Sequence, residues 1–279
     1  MAKSPSQKSR TNIYTKKIGL RSHHKAEEFI WGIHPVEEAL KVCPHAIREI
    51  IVAKDKLGIK LEGILELAQK HAIPVTSLSG KTKTTGQGKP DELNEHKSSQ
   101  CVSARIILPN PTLDEFLVKL KDVSGPPLIL ALDSIQDPHN LGAIIRSAVA
   151  AGVNGIILPR DRSAPITGTV IKISAGSVFH IDICRVTNLV SSFKMLKKNG
   201  IWIFGTTKDA SQPIYDTDLT VPACLVIGSE GKGLRPLVAN HCDLNIAIPM
   251  HSSLDSLNAS VAAGIILFET VRQRRAQYM

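Results

Sequence analysis

The sequence predicts an α/β protein in two parts, and the larger part is built on a mostly parallel sheet. From residue 128 onward, short apolar runs alternate with stretches of helical spacing, which is typical of a sheet covered by helices on both faces. Residues 28–108 show the same alternation on a smaller scale, and a Pro- and Gly-rich stretch at 109–127 separates the two parts. The chain has 279 residues, which is enough for two domains.

In the smaller part, predicted helices and strands alternate along the chain. PVEEALKV and residues 57–72 have helical spacing of their apolar residues, and the runs of strand length are REIIVA, PVTSLS and VSARIIL. A long polar connection at 79–99 joins the last two strands, and a connection of this length is either mobile or functional. Its lysines are equally compatible with phosphate contact and with simple solvation.

The larger part follows the connector, which itself contains the short helical stretch LDEFLVKL. Its predicted strands are LILALD, GIILP, HIDICRV, IWIFGT, ACLVIG and LNIAIP. Its predicted helices are NLGAIIRSAVAAG, TVIKISAGSV, LVSSFKMLKKNG, LRPLVANH and SLNASVAAGIILFETVRQRR. Ligand sites in open α/β sheets form beyond the carboxyl ends of the strands, so the turns that follow these runs are the positions where a site is expected.

The positive charge is concentrated at the N-terminus. The net charge is +9, and the first 25 residues contain seven Lys or Arg and no acidic residue. We interpret residues 1–26 as a flexible basic arm, because such a polar stretch has too little apolar surface to fold by itself. An arm of this kind suits a polyanion such as RNA, although a solubilising tail or an import signal has a similar composition.

Composition also excludes several classes of protein. No run of 18 apolar residues is present, so we predict no membrane span, and no secretory signal precedes the first domain. The five cysteines are widely spaced without any zinc-binding pattern, which predicts reduced thiols, no metal and a cytoplasmic location. His241 beside Cys242 is interpreted as structural.

Three turns that follow predicted strands carry polar residues that packing does not require. Asn140 and Arg146 follow LILALD, Glu230 lies in the turn GSEGKG after ACLVI, and Ser256 and Asn258 follow LNIAIP. Taken singly, each has an ordinary explanation, such as a helix cap for an Asn or Ser and a solvated side chain for Arg146. A dinucleotide fingerprint is absent, since the glycine turn has the wrong spacing and contains a carboxylate.

Together, these segments resemble a known family. NLGAIIRSAVAAG, LVIGSEGKGL and IPMHSSLDSLNASVAAGIILFE, in this order, are similar to the three signature motifs of the SpoU (SPOUT superfamily) RNA 2′-O-ribose methyltransferases. The resemblance covers 128–275, and IWGIHPVEEAL resembles the start of the substrate-binding domain of the same family. It implies a substrate-binding domain at 27–108, a linker at 109–127 and a methyltransferase domain at 128–279.

The resemblance also implies a fold, a cofactor and site residues. The family's mostly parallel sheet contains a deep trefoil knot, which binds S-adenosylmethionine, and its members are homodimers packed partly through the C-terminal helix. The adenosyl group would be held at Thr206, Gly228, Ile248 and Leu257. The implied catalytic residues are Asn140, Arg146, Glu230, Ser256 and Asn258, with no metal.

The implied reaction is methyl transfer to a ribose 2′-hydroxyl of RNA, with a guanosine of 23S rRNA as the favoured target. Arg146 is either part of the activation of the hydroxyl or an anchor for an RNA phosphate, and its permanent charge favours the second role. The alternatives are a tRNA substrate, a non-catalytic RNA-binding protein in ribosome assembly, and a nucleotide-dependent oxidoreductase.

Overall fold

The computed structural model describes residues 27–53, 59–78, 102–251 and 256–277. Its first sheet has four strands in the order β1-β4-β2-β3, with β2 and β3 parallel and the other neighbours antiparallel. These strands are β1 Glu28–Trp31, β2 Ile47–Ala53, β3 Val75–Leu78 and β4 Val102–Ile106. Two helices, α1 Ile33–Val42 and α2 Ile59–Lys70, pack against each other beside this sheet.

The second sheet has seven strands in the order β7-β6-β5-β10-β8-β11-β9, and every neighbouring pair is parallel. The strands are β5 Leu128–Asp133, β6 Gly155–Pro159, β7 Asp182–Val186, β8 Trp202–Thr206, β9 Gln212–Pro213, β10 Ala223–Gly228 and β11 Leu244–Ala247. Every residue of β5, β6 and β10 is buried, as expected for strands covered on both faces. The predicted α/β class with a mostly parallel sheet is confirmed.

In the described residues, six α-helices flank the second sheet. They are α3 Leu113–Leu120, α4 Pro138–Ala150, α5 Gly168–Ile173, α6 Leu189–Lys198, α7 Pro236–Ala239 and α8 Ala259–Ala276. On one face, α4 packs against both α5 and α8. On the other face, α3 and α6 contribute Phe116 and Phe193 to a second apolar core, so the helix within the predicted linker packs against this sheet.

The two sheets belong to units that contact each other closely. A methyl group added at Gly168, the first residue of α5, would lie 2.3 Å from the carbonyl oxygen of Phe29 and 2.2 Å from the ring of Trp31. The imidazole of His180 also lies 3.1 Å from the carboxylate of Glu38 in α1. The first unit is therefore seated directly on the helical face of the second.

Three local predictions differ from the structure. The predicted helix TVIKISAGSV ends at Ile173, because Ala175 and Gly176 take left-handed backbone conformations, and a short 3-10 helix follows. Strands β1 and β9 were not predicted, since both are short edge strands with little apolar periodicity. The basic arm, the connection at 79–99 and Cys101 lie outside the described residues. Within the described residues, no helix is long and apolar enough to cross a membrane.

Candidate active site

The carboxyl ends of four strands meet at one edge of the second sheet. Gly228, the last residue of β10, pairs with Asp133, the last residue of β5. On the other side of β10, Thr206 at the end of β8 pairs with Ile246 of β11. The turns that follow these strands are therefore neighbours, as the sequence analysis expected for a ligand site.

The glycine turn folds back tightly after β10. The backbone N–H groups of Ser229 and Gly233 each donate to the other's carbonyl oxygen, at 3.1 and 2.9 Å. Gly231 and Gly233 have φ values of 74° and 64°, a left-handed conformation that favours glycine. The closed turn presents the side chain of Glu230 outward, toward the start of α4 and the start of α8.

Three predicted residues form one hydrogen-bonded cluster at this point. The side-chain amides of Asn140 and Asn258 both donate to the same carboxylate oxygen of Glu230, each at 2.5 Å. The amide of Asn258 also lies 3.0 Å from the amide oxygen of Asn140. Because these residues come from three separate segments of the chain, the cluster joins all three turns that the sequence analysis selected.

Of the two asparagines of the cluster, Asn258 also caps a helix and Asn140 does not. Asn258 does cap a helix, since its amide oxygen accepts from the backbone N–H groups of Ser260 and Val261 in α8. Its amide nitrogen remains available for Glu230, so capping and membership of the cluster are compatible. Asn140 is not a cap, because Asp137 caps α4 and Asn140 is buried within the first turn.

A cleft of about 250 Å³ lies beyond the ends of β8, β10 and β11. It is lined by all four residues predicted to bind the cofactor and by the predicted catalytic residue Ser256, namely Thr206, Gly228, Ile248, Ser256 and Leu257. Ile227, Ile246 and Met250 add apolar surface, and the glycine turn adds backbone polar groups. An apolar pocket with a few backbone donors and acceptors suits the flat ring and ribose of an adenosyl group.

The backbone of the glycine turn packs closely against Gly228. A methyl group built on it would lie 2.2 Å from the carbonyl carbon of Gly233 and 2.4 Å from the nitrogen of Leu234. Both atoms belong to the backbone of the turn, so any larger residue would open the turn and reshape the cleft that it borders.

We therefore expect Gly228→Ala to weaken S-adenosylmethionine binding at least about tenfold, equivalent to 1.4 kcal/mol, in isothermal titration calorimetry. Gly63→Ala is the matched control, because nothing lies within 4 Å of a methyl group added there. The control should bind as the unmodified protein does. Equal affinity for both variants would contradict the assignment of the cleft.

A second cleft of about 600 Å³ lies on the other side of the glycine turn. Its lining includes Asn140 and Glu230 of the cluster, together with the basic residues Arg162, Lys232 and Arg235. The two clefts share Ser229, Lys232, Gly233, Leu234 and Ala259. A ligand in the second cleft would thus contact Asn140 and Glu230 directly, while a ligand in the first would lie next to the glycine turn that carries Glu230.

The turn between the clefts is anchored by a buried ion pair. The carboxylate of Asp133 is fully buried, and it accepts from the backbone N–H of Arg235 at 2.9 Å and from its guanidinium at 2.7 Å. Arg235 lies two residues beyond the glycine turn, so Asp133 ties the chain leaving the turn to the end of β5. Sequence reasoning missed both residues, although an Asp that ends an otherwise apolar buried strand was a visible signal.

Arg146 lies apart from the cluster. It is six residues beyond Asn140, which places it about 9 Å along α4 and on a different face of the helix. Its side chain is exposed and makes no hydrogen bond or ion pair with the described residues, and it lines neither cleft. The structure thus brings Asn140, Glu230 and Asn258 together, places Ser256 in the adjoining cleft, and leaves Arg146 free to meet a partner molecule.

The four cysteines within the described residues do not form a site. Burial raises the pKa of Cys43 to about 11 and that of Cys184 to about 12, so both remain neutral thiols at physiological pH. Cys242 and His241 hydrogen-bond to carbonyl groups of α7, which fits the structural role expected of them. No group of side chains suited to a metal ion occurs in the described parts of the chain.

Comparison with family models matches both units. The description "SpoU rRNA Methylase family" matches residues 127–268, and "RNA 2'-O ribose methyltransferase substrate binding" matches residues 29–91. The first of these matches contains β5 to β11 and both clefts. The second covers most of the smaller sheet and its two helices.

Curated relatives and solved structures match nearly the whole chain. The sequence is 38% identical to the 23S rRNA (guanosine-2'-O-)-methyltransferase RlmB of Pseudomonas putida, over 90% of this chain and 98% of the relative. It is 41% identical to the RlmB of Vibrio vulnificus, over 90% and 99%. The SpoU methyltransferase AviRb of Streptomyces viridochromogenes, solved with AdoMet, aligns with a TM-score of 0.74 at 27% identity, over 90% and 91%. An AdoMet-bound rRNA methyltransferase of Sinorhizobium meliloti aligns at 0.71 and 25%, over 88% and 87%.

Proposed function

Because the chain belongs to the SpoU rRNA methylase family, and is thereby an S-adenosylmethionine-dependent RNA 2′-O-methyltransferase, we propose that it methylates a guanosine ribose of 23S rRNA. The assignment of the substrate rests on relatives of 38–41% identity whose names give this activity. The observation that carries the site is the Asn140–Glu230–Asn258 cluster between two clefts. A ribosomal RNA substrate implies a cytoplasmic location.

We propose separate roles for the parts of the chain. Residues 27–108 bind the RNA substrate, 109–127 connect the domains, and 128–279 bind the cofactor and catalyse transfer. The basic arm at 1–26 adds sequence-independent affinity, because its seven cations neutralise phosphates and release counterions. The substrate-binding family description at 29–91 supports the first of these roles.

The first cleft fits the cofactor, and we assign its lining residues to the adenosyl group. Gly228 allows the close approach of the turn, and the hydroxyl of Thr206 donates to the carbonyl of Val226 at the end of β8. Ile248 and Leu257 would supply apolar contacts to the adenosyl group. When bound, S-adenosylmethionine supplies an electrophilic methyl group. The described residues provide no metal site, and none is needed for displacement at a sulfonium methyl group.

The residues of the chain must orient the ribose and accept its proton. A 2′-hydroxyl is a weak nucleophile at neutral pH, so placement and proton removal limit the reaction. We assign Asn140, Glu230 and Asn258 to holding the ribose beside the methyl group, with Ser256 at the border of the two ligands. The free guanidinium of Arg146 binds an RNA phosphate, and that phosphate or Arg146 itself assists removal of the proton.

The knot is also a proposal. The second sheet places β10 between β5 and β8, and α8 returns to pack against α4 beside the first crossover. Residues on both sides of β11 border the cleft that begins at Gly228. This strand order and this helix contact are compatible with the family's trefoil knot, although threaded chains are otherwise very rare.

We propose a homodimer that packs through α8. This helix exposes a stripe of apolar side chains on the face opposite the core, with Val261 50% and Phe268 51% exposed. Gly264 lies between them, and a methyl group added there would contact nothing within 4 Å. Large exposed apolar residues around a small one form a surface into which a second helix can pack closely.

Phe268→Asp should therefore convert the dimer to a monomer in sedimentation velocity at micromolar concentration, because it places a charge in an apolar interface. Val118→Asp is the control, since Val118 is 62% exposed on α3, which packs on the opposite face of the sheet from α8. A variant at Phe268 that sediments as the unmodified protein does would contradict packing through α8.

The function is tested with labelled S-adenosylmethionine and two RNA pools from a strain lacking the gene, one of 23S rRNA and one of tRNA. We expect label in 23S rRNA, recovered after digestion as 2′-O-methylguanosine. Label in tRNA would support the proposed reaction but would show that the substrate is tRNA and not 23S rRNA. Binding of both cofactor and RNA without any transfer would instead indicate a non-catalytic assembly protein.

A further inference from the structure

The second cleft contains two non-glycine residues in left-handed backbone conformations. Among the described residues only four have a positive φ without being glycine, and two of them, Ser134 at 65° and Arg162 at 61°, line this cleft. Such conformations are costly for L-residues, and they concentrate where a structure must aim a particular side chain. Ser134 directly follows Asp133, and Arg162 lies in the loop after β6.

The two loops hold each other in place. The backbone N–H of Ala164 donates to the carbonyl of Ile135 at 2.8 Å, which ties the Arg162 loop to the Ser134 loop. At the start of the Arg162 loop, the guanidinium of Arg160 donates to the carbonyl of Arg185 at 3.3 Å. The hydroxyl of Ser163 is buried with no hydrogen-bond partner in the described residues. These contacts hold the backbone of the Arg162 loop beside the cleft, in the left-handed conformation that sets the direction of the Arg162 side chain.

The charges of the second cleft favour an anion beside Arg162. Glu230 already accepts two amide hydrogen bonds, and Asp137 is engaged as the cap of α4. Arg235 is paired with Asp133. Arg162 and Lys232 are the basic residues of this lining without a carboxylate partner among the described residues, and both are exposed.

We propose that Arg162 binds a backbone phosphate of the RNA adjoining the target nucleotide and thereby sets which ribose enters the Asn140–Glu230–Asn258 cluster. The proposal rests on the function proposed above. A guanidinium forks onto two phosphate oxygens, so a fixed arginine defines both the position and the direction of the RNA strand. Lys232, which borders both clefts, adds charge without that directionality.

The test compares Arg162→Gly with Lys194→Ala, which removes one exposed positive charge from α6, on the opposite face of the sheet, where no contact to the Arg162 loop is lost. Glycine accepts the left-handed conformation, so Arg162→Gly should fold with an unchanged or higher melting temperature. We expect it to raise the KM for 23S rRNA about tenfold, as loss of one charge-assisted phosphate contact does, with kcat and cofactor affinity unchanged. The slope of log K for RNA binding against log salt should become shallower by about one contact, or 0.7–0.9.

Equal KM and equal salt slopes for Arg162→Gly and the unmodified protein would overturn the proposal, as would an equal rise in KM for Lys194→Ala. The measurement of RNA binding against salt needs no turnover. If the unmodified protein binds rRNA without methylating it, the proposed function fails, while the change in salt slope still decides the role of Arg162.

Discussion

Arg146→Ala is expected to lower kcat for methyl transfer by at least about 100-fold, on the proposal that its guanidinium meets the RNA phosphate that assists proton removal; removal of one charged donor to a transition state causes a loss of this size. Cofactor affinity should stay unchanged, because Arg146 does not line the S-adenosylmethionine cleft. Folding should be preserved, because the side chain is exposed and makes no hydrogen bond or ion pair with the described residues. Single-turnover methylation and calorimetric titration measure the two effects separately.

Arg146→Lys separates the two roles that the sequence leaves open. Lysine keeps the charge but lacks the planar fork, so it should restore part of the rate if Arg146 anchors a phosphate by charge. No restoration would favour direct participation of the guanidinium in proton removal. Near-normal turnover of Arg146→Ala would remove this residue from the mechanism.

Arg235→Ala is expected to lower the free energy of unfolding by about 3 kcal/mol, at the low end of the range for breaking a buried ion pair. The substitution leaves the fully buried carboxylate of Asp133 without its guanidinium partner. The loss stays at the low end because the Arg235 side chain is 40% exposed and the backbone N–H at 235 still donates to the carboxylate. Urea denaturation monitored by circular dichroism measures the change.

The double variant Asp133→Asn with Arg235→Ala tests the cause. Removing the charge of Asp133 should recover part of the stability lost by Arg235→Ala, because an amide is cheaper to bury than an unpaired carboxylate. If the stability lost by the double variant equals the sum of the losses of the two single variants, the pair does not stabilise the protein through its charges. A loss below about 1 kcal/mol for Arg235→Ala, the scale of a surface pair, would contradict the anchoring role.

Much of the fold was predictable because its strands are buried on both faces. LILALD, GIILP and ACLVIG read as continuous apolar runs, and the structure places them in adjacent central positions. The edge strands β1 and β9 gave no such signal. The helix predicted at 169–178 is longer than the one observed, because apolar periodicity continues through the left-handed residues Ala175 and Gly176, where the backbone leaves the helix.

The site was predictable only in part, for a physical reason. Residues in turns after parallel strands converge at one sheet edge, so Asn140, Glu230 and Asn258 could be grouped from strand order and family resemblance alone. Asp133 and Arg162 act through a buried ion pair and a backbone conformation, respectively, which leave no periodic trace in the sequence. Arg146 was grouped with the others by its motif, yet the helix turns it to another face.

The central claim is tested most directly by mapping 2′-O-methyl groups at nucleotide resolution in 23S rRNA from a strain lacking the gene. The strain is complemented with the unmodified gene or with the Arg146→Ala variant. We predict one guanosine that is unmethylated in the deletion strain, methylated again with the unmodified gene, and unmethylated with the variant. A 23S rRNA methylation pattern that is identical with and without the gene would contradict the account.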